Sequence, residues 1–279
     1  MEKSRLGHIN FINCLPLSYS LRYGGYDAGL EVCWDVPAKL NSLIVRGQLD
    51  ISPVSSIVYA RHSGKFLIMP DVSISADGAL RSILLVSKKP IEELAAGKVA
   101  LTAKSETSHC LLKIILHDSY QAAPEYFITQ SSATREVLAE ADAVLFIGDD
   151  ALFNYHNRQE GLFYYDIGDE WKKLTGLPMV YAVWVIRREF AHAHPELLHT
   201  ACERVAGGFK YGLDHIDQAV AAFVDRLPFS REQISTYLKL LNWSLTPERQ
   251  QALLAFYHRA YRIGLIEQVP EIEFAEVRK

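Results

Sequence analysis

Short runs rich in Val and Ile alternate with helix-length segments through the first two thirds of this 279-residue chain. Such alternation is typical of βαβ units, whose strands form a mostly parallel sheet covered by helices. The sequence therefore predicts an α/β fold, and the helical pattern after residue 188 predicts a helical C-terminal tail. Strands are expected near 5–11, 30–34, 49–52, 66–69, 81–87, 98–101, 125–129, 142–147, 162–166 and 180–187. Helices are expected near 16–22, 36–46, 54–61, 105–118, 132–140, 149–156, 168–176, 189–211, 214–226, 230–241 and 247–263.

Two of the tail helices carry start signals. Ser230 and Gln233 have the spacing of a capping box, in which each residue's side chain accepts a hydrogen bond from the other's backbone N–H. Thr246 followed by Pro247 is typical of an N-cap and first helical residue.

Two apolar runs, 83–86 and 180–186, have the character of strands that cross between domains. If both cross, the chain forms a discontinuous domain I, 1–88 plus 181–279, and an inserted domain II, 89–180. Two mixed-sheet lobes joined by two extended strands, with a ligand cleft between them, make up the two-lobed type II periplasmic-binding-protein-like fold. The C-terminal helices are expected to return to domain I.

Composition excludes several classes of partner. The chain has 33 acidic and 29 basic residues, a formal net charge of −4, and no long Lys/Arg run. It therefore lacks the electrostatic footprint expected for a nucleic-acid duplex or an anionic membrane. The N-terminus lacks the pattern of a signal peptide, and no apolar stretch approaches the ~18 residues of a membrane span. We expect a cytoplasmic protein with a small-molecule substrate; the sequence leaves a homodimer open.

Metal and cofactor signatures are missing as well. The four cysteines are scattered and form no C-x-x-C pair, so free thiols are the simplest interpretation. His192, His194 and His199 come nearest to a metal set, but no H-E-x-x-H spacing occurs. Neither a P-loop, a G-x-G-x-x-G nor a G-x-S-x-G is present. We expect no metal and no cofactor.

Small polar residues follow many of the expected strands, where open α/β sheets bind ligands. Ser and Thr at a helix start, together with free backbone N–H groups, suit a carboxylate or a phosphate. Each of these residues taken singly is also an ordinary helix cap. The candidates are Asn13, Ser55, Ser56, Ser75, Thr107, Ser108, Gly148 and Asp149.

Arg81 is a separate candidate because it enters an apolar run next to the first crossing. A lone Arg is usually a solvated surface residue. At this position, however, its guanidinium could bind a carboxylate through two parallel hydrogen bonds.

Several strings of the sequence resemble the chorismate dehydratase family, the MqnA family of the futalosine route to menaquinone. The resemblance runs in order from about residue 6 to residue 187 and adds little in the helical tail. It rests on GHINFINCLPL (7–17), PVSS (53–56), DVSISADGALRS (71–82), residues 101–112, IGDDA (147–151) and YDIGDEWKKLTGLPMVYAVW (165–184).

The resemblance implies that chorismate loses its ring hydroxyl and a neighbouring proton as water, giving 3-[(1-carboxyvinyl)oxy]benzoate. No group among the candidates is an obvious dedicated base, so we hypothesise that the substrate's enolpyruvyl carboxylate takes the proton. Asn13 is then expected to bond the leaving hydroxyl or the enolpyruvyl group, and Asp149 is the alternative proton donor.

The remaining candidates are assigned to substrate binding by the same resemblance. Facing helix starts would hold the two carboxylates, residues on the hinge side would line the cleft, and the second lobe would close over the ligand. The helix starts are Ser55 with Ser56 and Thr107 with Ser108; the hinge side is Ser75, Arg81 and Ser82; Gly148 joins Asp149 in closing the second lobe.

Two alternatives remain. The sister enzyme of the pathway, 1,4-dihydroxy-6-naphthoate synthase, shares the fold but typically opens with a C-P-N-D-like motif. Here the corresponding loop reads Asn13-Cys14-Leu15-Pro16, which favours the dehydratase. A non-catalytic protein that binds a small carboxylate between its lobes would have the same fold, since fold does not imply function.

Overall fold

A computed structural model describes residues 3–277 and shows eleven strands and twelve α-helices in that range. The strands are β1 Ser4–Ile9, β2 Leu30–Asp35, β3 Ile51–Ser55, β4 Phe66–Ala76, β5 Ile83–Ser87, β6 Lys98–Thr102, β7 Glu125–Thr129, β8 Ala143–Ile147, β9 Phe163–Asp166, β10 Met179–Arg187 and β11 Leu241–Asn242. The helices are α1 Leu15–Tyr23, α2 Pro37–Val45, α3 Ser56–His62, α4 Thr107–Tyr120, α5 Thr134–Glu140, α6 Gly148–His156, α7 Ile167–Thr175, α8 Arg188–Ala193, α9 Pro195–Asp214, α10 Ile216–Phe223, α11 Arg231–Leu238 and α12 Pro247–Arg262.

The strands form two mixed sheets with the same internal order. Lobe I contains the six-stranded sheet β2-β1-β3-β10-β4-β11, and lobe II contains the five-stranded sheet β7-β6-β8-β5-β9. In each sheet a strand that enters from the other lobe lies antiparallel between two resident strands: β10 between β3 and β4, and β5 between β8 and β9. The predicted two-lobed α/β architecture is confirmed.

Strand β5 shows where the first crossing lies. It pairs with β8 and β9, so its residues belong to the second sheet, whereas the sequence analysis assigned them to domain I. The sheets change over between Ala76 and Ile83 and again ahead of Met179. We therefore propose that the inserted lobe begins within 77–82 rather than at 89.

The crossing strand β10 lies at the centre of lobe I. Residues Met179–Ile186 are all buried, because helices cover both faces of a strand that also has neighbours on both edges. Burying each such side chain contributes about 1.5–3 kcal/mol. A strand with this environment shows a continuous apolar run rather than alternation, which is why it is conspicuous in the sequence.

Two helices of the C-terminal tail begin at their predicted cap residues. The reciprocal bonds of the Ser230–Gln233 capping box are both present, and the Thr246 side chain accepts from the Arg249 N–H. The expected helix at 189–211 is instead two helices, because Pro195 lacks the N–H that a continuous helix needs. Strand β11 was not predicted; it is only two residues long and forms by pairing with β4.

The tail contacts both lobes, not only the first. Helix α12 packs against β10 of lobe I and against α4 of lobe II. Arg259 of α12 donates to Asp118 of α4 at 2.7 Å, and this carboxylate is almost fully buried. The tail therefore contacts both lobes.

Candidate active site between the lobes

A small cavity lies where the carboxyl ends of β1, β3 and β8 meet the two crossings. Its volume is about 50 Å³, room for only a few water molecules. Hydrogen bonds join the two lobes around this space, which is too small for a ligand the size of a substituted ring. The wall is formed by Ile9, Phe11, Asn13, Pro37, Ser55, Ile74, Leu80, Ser82, Ile83, Ser105, Ile147, Gly148, Tyr181 and Ala182.

Asn13 lies on the wall, in the short helical turn Ile12–Cys14 that follows β1. The indole N–H of Trp243, beside β11, donates to the Asn13 carbonyl oxygen at 2.8 Å and holds the turn in place. The side-chain oxygen Oδ1 of Asn13 is buried and has no partner among the described residues. A buried polar atom without a partner costs about 1–3 kcal/mol, so this amide is available to a ligand.

Ser82 also lies on the wall and is held from two directions. The Tyr237 hydroxyl of α11 donates to Ser82 Oγ at 2.8 Å, and the Gly148 N–H donates to the Ser82 carbonyl at 2.8 Å. Both elements that hold Ser82 come from distant parts of the sequence.

Gly148 is the wall residue contributed by the start of α6. It has a φ of +58°, and a Cβ added there would lie 3.0 Å from ring carbons of Phe11 on lobe I. Both the backbone conformation and the close approach of the other lobe therefore require glycine.

Ser55 ends β3 and lines the cavity from lobe I. Its N–H donates to Asn41 Oδ1 at 3.1 Å, and the Asn41 amide in turn donates to Ser55 Oγ and to Glu106 of lobe II. Asn41 therefore orients Ser55 and at the same time ties the lobes together.

The two helix starts predicted to face each other do meet, through Ser56 and Thr107, which do not line the cavity as Ser55 does. The Ser56 hydroxyl donates to the Val180 carbonyl at 2.6 Å, and the Ile57 N–H donates to Thr107 Oγ1 at 3.2 Å. Ser108 is buried and its hydroxyl has no partner in the described range. Thus the N-terminal N–H of α3 is used across the closed lobes rather than for a carboxylate.

Ser75 and Arg81 do not reach the wall. Ser75 Oγ donates to the Asn242 carbonyl at 3.2 Å, within the pairing of β4 and β11. Arg81 has a φ of +68°, its N–H donates to the Asp166 carboxylate, and its guanidinium lies 5.0 Å from the Tyr155 ring centroid. Leu80 and Ser82 line the cavity instead, and binding of a carboxylate by Arg81 stays a prediction.

Asp149 lies directly behind the wall. Its Oδ1 accepts from the Ile12 N–H at 3.3 Å, one residue from Asn13 and across the lobes. Burial, with a smaller contribution from the neighbouring Asp150, raises the pKa of Asp149 to about 6, although the Ile12 bond and Lys104 oppose the shift. A carboxyl group with this pKa is partly protonated near neutral pH.

Sequence reasoning did not identify Tyr181 as a wall residue, because it is hidden in the continuous apolar run of β10. Ser105, another wall residue, precedes α4 by two positions, just ahead of Thr107 and Ser108, which the sequence analysis selected. Among the described residues, none of those on the wall is Lys, Arg, Asp, Glu or His. In the part of the chain that the structure describes, no group of three or more His, Cys, Asp or Glu side chains could hold a metal ion.

Comparisons with known proteins decide the family. A family model described as menaquinone biosynthesis matches residues 4–262. A chorismate dehydratase from Thermus thermophilus is 31% identical over 265 residues, covering 90% of this chain and 93% of the relative. The chain belongs to the chorismate dehydratase family of menaquinone biosynthesis.

Other relatives of this family member share its fold. A 1,4-dihydroxy-6-naphthoate synthase from Thermus thermophilus is 23% identical, covering 97% of this chain and 98% of its own. A Candida albicans protein described as having the generic periplasmic binding protein fold superposes with a TM-score of 0.71 at 12% identity, covering 98% of this chain and 93% of its own. The predicted periplasmic-binding-protein-like fold is confirmed.

Proposed function

We propose that this protein is a chorismate dehydratase, which converts chorismate to 3-[(1-carboxyvinyl)oxy]benzoate and water. The observation that carries the proposal is the 31% identity to a chorismate dehydratase over 90% of the chain. The cavity between the lobes supports it, because an elimination that forms an aromatic product depends more on how the substrate is oriented than on strong acid or base catalysis.

The reaction breaks one C–H bond and one C–O bond of the ring. The proton leaves the carbon that carries the enolpyruvyl ether, its electron pair becomes the new C=C bond, and the neighbouring hydroxyl leaves. Proton and hydroxide together make the water, and the ring becomes a benzoate. The protein must bring the proton and its acceptor together and stabilise the departing oxygen.

The wall residues support the substrate's own enolpyruvyl carboxylate as the base. Of the residues that the structure describes, those on the wall carry amide, hydroxyl and apolar groups, and Tyr181 is the titratable one. Burial raises the pKa of Tyr181 well above its ordinary value, so it stays protonated at neutral pH and does not act as a base. A carboxylate on the substrate, held close to the ring proton, fills the role.

Asn13 is the residue that we assign to the departing hydroxyl or the enolpyruvyl group, because its Oδ1 has no protein partner. Ser55, Ser82 and Gly148 complete the polar part of the wall. Asp149, with its pKa raised to about 6, is the alternative source of a proton for the departing hydroxide, reached after a small movement of the Ile12 turn.

Incubation of the purified protein with chorismate, followed by NMR of the products, tests the proposal. Formation of the enolpyruvyl benzoate supports it. Binding of chorismate without turnover would favour the non-catalytic binding protein, and absence of both would favour an activity closer to the naphthoate synthase.

A substrate analogue tests the base. Chorismate with the enolpyruvyl carboxylate replaced by a carboxamide keeps the shape but loses basicity. It should bind and not react. Turnover of the amide at the rate of chorismate would mean that a protein group takes the proton.

Two lesser points follow from the sequence and the relatives. No helix in residues 3–277 combines the length and the apolarity needed to cross a bilayer. Because the relatives carry out biosynthesis, we propose that the enzyme acts in the cytoplasm. The homodimer that the sequence leaves open is tested by light scattering of the purified protein.

A further inference from the structure

Tyr181 is a wall residue whose position depends on an irregularity in β10. Val180 pairs with Ser75 and Ala182 pairs with Ile74, so Tyr181 is an extra residue with no partner in β4. Beta-bulges of this kind re-aim a side chain and occur next to active sites. Here the bulge falls where β10 passes the end of β3, and it directs Tyr181 to the cavity.

The Tyr181 hydroxyl is enclosed but has no hydrogen-bond partner among the described residues. The residue is 8% exposed. The hydroxyl lies against Gly168 in the first turn of α7, where an added Cβ would be 2.6 Å away. The Gly168 N–H already donates to Asp166 at 2.9 Å, so it does not turn to the phenol.

In each of the other three buried tyrosines that the structure describes, the hydroxyl has a hydrogen-bond partner. Tyr59 donates to the Glu271 carbonyl, Tyr237 donates to Ser82, and Tyr257 donates to the Ser56 carbonyl, each at 2.8 Å. The unpaired hydroxyl is therefore specific to the tyrosine on the cavity wall. A buried polar atom left unpaired costs stability unless a ligand completes it.

The chemistry of the cavity indicates which group of a ligand could pair with the Tyr181 hydroxyl. The substrate in the proposed function has two carboxylates, and the wall has no Lys or Arg to receive them. An uncharged hydroxyl that is removed from water forms a short, strong hydrogen bond to a carboxylate.

We propose that Tyr181 is a substrate-binding residue whose hydroxyl donates a hydrogen bond to a carboxylate of the bound substrate. The inference rests on the proposed function for the identity of the ligand. The position of Tyr181 and its unpaired hydroxyl do not depend on the proposed function.

The test compares Tyr181→Phe with the matched control Tyr59→Phe, whose hydroxyl is bonded far from the cavity wall. For Tyr181→Phe we expect kcat/KM for chorismate to fall about 10- to 100-fold, as for loss of a hydrogen bond to a charged group. The affinity for the product, measured by calorimetry, should weaken over the same range. The Tm should stay the same or rise, because the change removes an unpaired hydroxyl.

The control should behave in the opposite way, with a lower Tm and unchanged kcat/KM, because Tyr59→Phe strands the Glu271 carbonyl. Wild-type kcat/KM and product affinity in Tyr181→Phe would overturn the inference. A fall in kcat/KM that comes with a lower Tm and unchanged product affinity would also overturn it, since that pattern indicates a structural role.

The wild-type protein separates this inference from the proposed function. If it makes no product from chorismate but binds the product with an affinity that depends on Tyr181, the proposed function fails and the inference stands. If it neither reacts with chorismate nor binds the product, both fail.

Discussion

The backbone N–H of Ile12 in lobe I donates to the carboxylate of Asp149 in lobe II at 3.3 Å. The donor is next to Asn13, and the acceptor is next to Gly148, so this one bond joins the two sides of the cavity wall. Asn41 and Arg61 of lobe I add bonds to Glu106 of lobe II. Bringing the lobes together therefore assembles the cavity wall from both of them.

Replacing Asn13 by Ala should lower kcat/KM for chorismate about 100-fold, the usual effect of removing one preorganised hydrogen-bonding group from a developing charge. The stability of the protein should not fall, because Asn13 Oδ1 has no partner to lose. Steady-state kinetics and thermal unfolding measure the two quantities. Asn157→Ala, at an exposed position in lobe II, is the control and should leave kcat/KM unchanged. Unaltered turnover in Asn13→Ala would remove this residue from the mechanism.

Asp149→Asn should stabilise the protein at high pH. The folded pKa of about 6 lies above the ordinary 3.8, so the stability linked to this group is complete below 3.8 and is lost as the pH rises through about 6. Asparagine keeps an acceptor for the Ile12 N–H and removes the buried charge. The gain in unfolding free energy should be about 3 kcal/mol at pH 8 and roughly half of that at pH 5.

Urea unfolding at pH 5 and pH 8 measures this gain. Asp150→Asn is the control, because that carboxylate is partly exposed and pairs with Lys104. It should give no gain at pH 8. A gain for Asp149→Asn that is equal at both pH values would contradict the assignment.

Gly148→Ala should reduce activity more than it reduces stability. Forcing a side chain into a positive φ costs about 1–2 kcal/mol, and the new methyl group would also press on Phe11 across the closed lobes. Gly161→Ala is the matched control, since its φ is +78° and nothing lies within 4 Å of an added Cβ. Both variants should lose similar stability in thermal unfolding. Only Gly148→Ala should lose kcat/KM, by about 10-fold or more if closure assembles the site; equal activities would show that closure does not matter.

The bond between Tyr237 and Ser82 should be measurable as a coupling. Tyr237→Phe and Ser82→Ala, made singly and together, should give a coupling free energy of about 1 kcal/mol in urea unfolding. The bond is buried and links the C-terminal tail to the wall. The pair Tyr257→Phe and Ser82→Ala is the control and should be additive, because Tyr257 donates to Ser56 instead. A coupling near zero for the first pair would mean that the tail does not position Ser82.

Much of the site was accessible from sequence, because several of its residues follow strand ends and the family resemblance added Ser82. Asn13, Ser55, Ser82 and Gly148 were all expected in the cleft, and all four lie on the cavity wall. Ser56 and Thr107 were expected at facing helix starts, and their hydroxyl oxygens lie 3.3 Å apart. Their roles toward a substrate remain predictions, since proximity to a cavity is not contact with a ligand.

The orientation of two other side chains, Arg81 and Tyr181, could not be predicted from the pattern of neighbouring residues. Arg81 turns away from the cavity because its N–H is bound to Asp166, 85 positions later in the chain, in a backbone conformation that Arg rarely adopts. Tyr181 turns toward the cavity because of the bulge in β10. Neither the partner nor the bulge leaves a signal within a few residues.

The sequence by itself determined the elements: alternating strands and helices, the buried run of β10, and the caps at Ser230 and Thr246, all of which depend on neighbours in the chain. Only the tertiary structure decided which sheet β5 joins and which side chains face the cavity. The reason is physical. Which side chains face the cavity, and how the lobes close, depend on contacts between residues far apart in the sequence, such as the hydrogen bond from Ile12 to Asp149. Such a contact can contribute free energy only once the two lobes are together.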